Sequence, residues 1–334
     1  MARKKKGAGR IGLLPAALLL GLLLFWGSLG LPEPGGTAAP DIPAADEPLP
    51  LPQLPEEPVM AAESAALPPT QETPEPAETP AVSVLKTASG GSGAGTVYFK
   101  NQTKYQIDMD ALLQQPCPVA LGKEGVQVLI MHTHGTEAYT PTDAHPYQAS
   151  GEYRTTDKAC NMLAVGQRIT DLLNERGIAA VHSETLNDHP AYNGSYSRAL
   201  KDINAWLKEY PSIQLVIDVH RDAIGTAGKY YKTVAKVDGQ QTAQLMFVAG
   251  TDEGGLKHPD WRKNLTFQAQ LQDRINGAYP GMMRPISIRT GRFNQHVRLG
   301  SMLVEVGSCG NTLEEALAAA EVFAQSLADA LLEQ

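Results

Sequence analysis

From Val126 onward, short apolar runs bounded by turn residues alternate with segments of helical period. VQVLIMH (126–132) reads as a strand, followed by a loop and a helix near 157–176. AAVHS (179–183) precedes a helix near 195–209, and IQLVIDVH (213–220) is the next strand. KYYKTVAKV (229–237) and AQLMFVAG (243–250) read as two further strands, and a helix near 261–277 follows. PISIRT (285–290) and SMLVEVG (301–307) are strands, and an Ala/Leu helix closes the chain at 312–333. Apolar strands alternating with helices predict an α/β fold with a mostly parallel central sheet flanked by helices. Residues 96–125 are weakly patterned and read as a lead-in to it.

The pattern upstream is of another kind. Residues 11–31 carry no charge over 21 positions, after a ten-residue tail with five basic residues and no acid. As a helix the run would rise about 31 Å, enough to cross a hydrocarbon core, and the basic flank keeps its N-terminal side in the cytoplasm. The run is longer than a signal-peptide core and has no convincing Ala-x-Ala site, which favours a retained single-pass anchor over a cleaved leader. Residues 32–80 hold 14 of the 24 prolines, mixed with Ala and Glu, and a Gly/Ser stretch follows at 89–95. Such a segment cannot bury a core. The expected organisation is a cytoplasmic tail (1–10), a transmembrane helix (11–31), a disordered linker (32–95) and an extracytoplasmic domain (96–334).

Charge and cysteine content narrow the partners. The part beyond the anchor has 23 Lys+Arg against 36 Asp+Glu, which argues against a nucleic-acid backbone as ligand. Cys117, Cys160 and Cys309 are odd in number, and no pair has Cys-x-x-Cys spacing. Their disulfide status is left open, and each reads as a small buried side chain.

The chemistry gathers at strand ends. VQVLIMH runs into His132-Thr133-His134 with Glu137 three residues on; IQLVIDVH ends in Asp218-Val219-His220, followed by Arg221 and Asp222; SMLVEVG carries Glu305 inside an apolar run. Ligands of open α/β sheets bind at such ends. A lone strand-end His is more often a structural hydrogen-bonder, but a carboxylate within an apolar strand costs several kcal/mol unless paired or beside a metal. Two His-bearing ends with one buried Glu make a coherent catalytic zinc site: N/O ligands, an open position and a carboxylate base. The spacing is not HExxH.

VLIMHTHGTEAYTP (128–141), TTDKACNMLAVGQRI (155–169), VIDVHRDA (216–223), FNQH (293–296) and VEVGSCGN (304–311) resemble the stage II sporulation protein P family, related to zinc N-acetylmuramoyl-L-alanine amidases. The resemblance covers residues 96–334, with Gly135 departing from an expected Thr or Ser. It implies a Zn2+ held by His134 (His132 the alternate), by an acid, and by His220, with Glu305 as base. The acid is either Asp157, whose Asp157-Lys158-Ala159-Cys160-Asn161 spacing matches a Glu-Lys-x-x-Asn helix start, or Glu137 on the loop. Arg221 is a candidate for a stem-peptide carboxylate and Asp222 for orienting a metal-bound His; Asn294 and His296 are candidates for contacting substrate or its oxyanion. His145, His182, His189 and His258 stand in no motif and read as structural or surface residues.

The resemblance further implies a peptidoglycan substrate cut at the muramoyl–alanine amide, with stem cross-links a second target. It also implies a place in endospore engulfment beside stage II sporulation proteins D and M. The competing expectations are a zinc carboxypeptidase-like metallopeptidase and a non-catalytic wall-binding scaffold.

Overall fold

Residues 81–84 and 96–333, Glu152 and Ala227 excepted, are described by the structure, a computed structural model. The expected tail and transmembrane helix, and most of the linker, lie outside them. Among the described residues no helix is long and apolar enough to cross a membrane.

In chain order the elements are β1 (Ala81–Val84), β2 (Phe99–Asn101), α1 (Met109–Leu113), β3 (Val128–Met131), α2 (Met162–Glu175), β4 (Ala180–His182), α3 (Ser195–Glu209) and β5 (Leu215–Asp222). There follow β6 (Gly225–Thr226), β7 (Lys229–Lys232), β8 (Val234–Val237), β9 (Gln240–Ala243), β10 (Leu245–Gly250), α4 (Trp261–Ala278), β11 (Ile286–Arg289), a 3₁₀ turn (Gln295–Val297), β12 (Met302–Ser308) and α5 (Leu313–Leu332).

Seven strands form the main sheet in the order β2-β11-β10-β12-β5-β3-β4. The expectation of a mostly parallel sheet is corrected here: the sheet is mixed. β2, β11 and β10 run parallel to one another, as do β12, β5, β3 and β4, but β10 and β12 meet antiparallel. The physical reason is the stretch after β5. The β8–β9 hairpin turns the chain back, so β10 enters the sheet reversed without the helical crossover that a parallel neighbour would require. KYYKTVAKV is accordingly two strands rather than one. It breaks at Thr233, whose N–H reaches Asn311 Oδ1 at 3.4 Å.

Two other boundaries differ from expectation. Ala81–Val84, inside the expected linker, pairs in parallel with β7, as a run with two valines can. The helix expected from residue 157 starts at Met162, because the Asn161 side chain caps it, accepting the Leu163 N–H. α5 begins on a capping box between Thr312 and Glu315.

Pairing sorts the side chains by face. Ile130, Ile217, Val219, Val304 and Phe247 join the core that α2, α4 and α5 bury, each such side chain contributing about 1.5–3 kcal/mol. Leu129, Met131 and Val216 face Ala199 and Ile203 of α3 on the other side. Beyond the end of α3 this second face carries the polar residues. Between Glu305 and Ser308 the β12–β5 register shifts, Glu305 partnering His220 and Ser308 partnering Asp222. Gly307 lies in this bulge at φ 70°, and a Cβ there would stand 2.8 Å from both Ala243 Cβ and Asn311 Oδ1.

Candidate active site

Alternation along β5 puts Asp218, His220 and Asp222 on one face, and Glu305 lies beside His220 on the neighbouring strand. Asp218 ties this row to the loop after β3. Its Oδ1 accepts the Thr133 N–H at 2.8 Å, its Oδ2 accepts the Thr133 hydroxyl at 2.6 Å, and Oδ1 also stands 2.8 Å from His220 Nε2. That last approach is a charge contact, not an aligned hydrogen bond. The other ring nitrogen, His220 Nδ1, lies 3.6 Å from Glu137 Oε2.

Glu137 is buried and held from several sides. Arg154 Nη2 donates to Oε1 at 3.2 Å, the Arg221 N–H donates to Oε2 at 3.3 Å, and Arg221 Nη1 is 3.8 Å from Oε1. Burial would raise its pKa, but Arg221, His220 and Arg154 outweigh it and keep the carboxyl well below the usual range. Burial likewise opposes charge on Asp218 and His220. The pair's mutual attraction prevails, lowering Asp218 and raising His220 well above an ordinary imidazole.

His134 closes the group. Its ring meets His220 edge-on at 5.3 Å between centroids, stacks on Tyr192 at 4.5 Å and 9°, and takes the edge of Tyr196 at 5.7 Å. Burial lowers its pKa to about 4, so it is neutral at pH 7, and its Nδ1 is buried without a hydrogen-bond partner. Asp188 lies 4.0 Å away and accepts from Thr136 and Arg154. Glu305 has one buried oxygen without a partner, and burial followed by Asp222 pushes its pKa up to about 8.

The structure distributes the expected residues unevenly. It brings His134, Glu137, His220 and Glu305 together. Asp157 lies on the exposed turn before α2, its carboxylate accepting the Ala159 N–H at 3.0 Å. His132 points to the opposite face. Its Nδ1 lies 2.8 Å from the Val219 carbonyl, and its Nε2 is 2.9 Å from His182 Nε2. Gly166 of α2 makes room for that pair: a Cβ there would stand 2.6 Å from His182 Nε2 and fall against His132 as well.

Arg221, expected near substrate or behind the metal-holding residues, lies against Glu137. The side chain is fully buried and clamps the 137–153 loop through Ala138 O (2.9 Å) and Tyr153 O (3.2 Å). Asp222 contacts Arg284 at 2.8 Å, so Asp218, not Asp222, backs the histidine. Asn294 is buried and donates to the Tyr196 carbonyl at 2.8 Å; His296 is half-buried in the 3₁₀ turn. His145 pairs with Glu314 at 2.9 Å on the surface. The sequence showed Asp218 at a strand end but gave it no role, and it left no signal for Arg154, Asp188, Tyr192 and Tyr196.

The family model for stage II sporulation protein P (SpoIIP) matches residues 58–328. The chain belongs to that family. Comparison with curated proteins finds no match.

Among solved structures, amidase AmiC2 of Nostoc punctiforme is similar at 15% identity and a TM-score of 0.34, over 64% of this chain and 98% of that one. Ami1 of Mycobacterium smegmatis is similar at 14% identity and 0.38, over 62% and 98%. An N-acetylmuramoyl-L-alanine amidase of Clostridium difficile 630 is similar at 15% and 0.34, over 63% and 97%. Overlap at these scores carries nothing to this SpoIIP family member's site, which stands on its own residues.

Among the described residues no three His, Cys, Asp or Glu side chains stand at metal-holding geometry. In kind, the donors fit zinc, which takes imidazole nitrogen and carboxylate oxygen. His134 offers a neutral ring with an unpartnered Nδ1, Glu137 a carboxylate kept ionised, and His220 an Nδ1 facing that carboxylate while Asp218 backs the opposite nitrogen.

Proposed function

We propose that this SpoIIP family member is a zinc-dependent peptidoglycan hydrolase that cuts the N-acetylmuramoyl-L-alanine amide bond. The observation that carries the reading is the grouping of His134, Glu137 and His220 on the sheet face where Glu305 neighbours His220. His134, Glu137 and His220 are the residues that would hold the metal. The metal, when bound, supplies a positive centre that polarises the scissile carbonyl and acidifies water.

Every other part falls to the chain. Asp218 fixes the ring of His220, and Arg154 and Arg221 keep Glu137 ionised and aimed inward. Glu305 takes the proton of the attacking water and returns it to the leaving nitrogen. A group whose pKa lies near the working pH suits such a shuttle, and burial provides that tuning here.

The finer reading extends the family membership to biology. The chain is anchored by residues 11–31 with its N-terminus in the cytoplasm and its catalytic domain outside, and it acts in engulfment with stage II sporulation proteins D and M. Stem-peptide cross-links are a second class of bond within the same mechanism.

The test is zinc content and wall digestion by the full chain. About one zinc per chain and new alanine N-termini are expected, and Glu305→Gln should keep the zinc and lose turnover. A folded wild-type protein that takes up no zinc would falsify the metal mechanism.

A further inference from the structure

The site is rich in acceptors and poor in available donors. Glu137, Asp218 and Glu305 supply carboxylates, whereas the surrounding donors are committed. Thr133 donates to Asp218, Thr136 to Asp188, Arg154 to Asp188 and Glu137, and Arg221 to Ala138 and Tyr153. Amide hydrolysis places negative charge on the former carbonyl oxygen, and a preorganised donor aimed at that oxygen is among the largest contributions a protein makes to such a reaction.

Tyr196 supplies the missing group. It is the second residue of α3, its ring packs edge-on to His134 at 5.7 Å and to Phe293 at 5.9 Å, and Asn294 anchors its carbonyl at 2.8 Å. Phe293 and Asn294 both adopt positive φ, 50° and 54°, an uncommon pair of conformations for non-glycine residues and a mark of constraint at this turn. Burial acts on the Tyr196 hydroxyl first, followed by the nearby carboxylates of Asp218, Glu305 and Glu137. Tyr192, the other tyrosine against His134, is half exposed, and the charges acting most on it are those of Glu137, Arg154, His220 and Asp188. Tyr196 is therefore the less exposed of the two phenols beside His134.

We infer that Tyr196 is a catalytic residue whose hydroxyl donates a hydrogen bond to the oxygen of the scissile amide as that oxygen becomes negative. The phenol keeps its proton throughout, and no bond is made or broken on it. The inference rests on the amidase reading given above.

The experiment compares full-length wild type with Tyr196→Phe on an N-acetylmuramoyl-L-alanyl peptide, and measures binding of its phosphinate isostere, which mimics the tetrahedral oxyanion. Phenylalanine keeps the ring contacts and removes only the phenol oxygen, so zinc content and melting temperature should match wild type. The expected result is a fall in kcat of about 10²-fold with KM nearly unchanged, and a comparable loss of phosphinate affinity. Unchanged kcat and phosphinate affinity beside an active wild type overturn the role of Tyr196 alone. A zinc-loaded wild type that releases no alanine amine overturns the amidase reading and this inference with it. Should the variant fail to fold, the wild-type phosphinate complex decides: Tyr196 Oη within hydrogen-bond reach of a phosphinyl oxygen supports the role, and a separation beyond about 3.5 Å refutes it.

Discussion

Asp218 and His220 share one face of β5, and Oδ1 of the first stands 2.8 Å from Nε2 of the second. The same carboxylate accepts two hydrogen bonds from Thr133, so one side chain orients the histidine and also holds the loop that presents His134. A carboxylate behind a metal-bound histidine fixes its ring and raises its basicity, and its loss costs about 10–100-fold in metal affinity. Asp218→Asn should weaken zinc binding by that factor, measured by chelator competition, while Asp222→Asn should leave it near wild type.

Proton release accompanies metal uptake. Burial works against charge on His220, but Asp218 and Glu137 raise its pKa well above an ordinary imidazole, so the metal-free protein keeps that proton at pH 7. A metal held by His220 would displace it. Affinity therefore increases with pH, by about tenfold per unit for each proton released. Titration calorimetry in buffers of different ionisation enthalpy should show about one proton or more released per zinc at pH 7. A heat independent of buffer would contradict this account of His220.

Glu137 and Asp157 can be told apart by substitution. Removing the carboxylate of Glu137 takes away the acceptor of the Arg154 Nη2 and Arg221 N–H hydrogen bonds, while Arg154 keeps Asp188. Glu137→Ala should lose zinc and also cost about 1–3 kcal/mol of stability. Asp157→Ala, on an exposed turn, should keep both zinc and stability. Metal analysis and urea denaturation of the two variants give the answer, and zinc lost from Asp157→Ala with its fold intact would reverse the assignment.

Gly166 is a third point of leverage. In an exposed helix, replacing Gly by Ala gains about 1 kcal/mol. Here the added Cβ would press on His132 and His182, and overpacking of this kind costs about 1–3 kcal/mol. Gly166→Ala should therefore destabilise the domain, and His182→Ala, by opening space beside His132, should relieve part of that loss. A double-mutant cycle by urea denaturation reads the coupling; strict additivity would mean that the contact has no energetic consequence.

What could be read beforehand was local. Runs such as VQVLIMH and IQLVIDVH declare strands by their own composition, and the His and Glu residues at their ends were visible as candidates. The acid beside the histidines was not decided in that way. Asp157 has attractive spacing, yet Asn161 captures the Leu163 N–H and moves the helix start. Glu137 meets His220 because Arg221, 84 residues later, folds under the loop and holds it. The strand break at Thr233 and the reversal of β10 likewise depend on partners far along the chain, as with Asn311. Tyr196 looks from sequence like any aromatic in an amphipathic helix, and only the approach of α3 to His134 distinguishes it.

The bulge at Gly307 makes strand length a constraint on the chemistry. Upstream of it, Leu303 and Glu305 keep step with Asp218 and His220; past it, three residues of β12 span what two cover on β5. An insertion or deletion of one residue between Met302 and Glu305 would invert that alternation. The carboxylate would then turn toward the side where Val304 packs, and the base would be lost although no functional residue had been replaced. Length variation in this strand is tolerable only beyond Glu305, where the alternation is already broken.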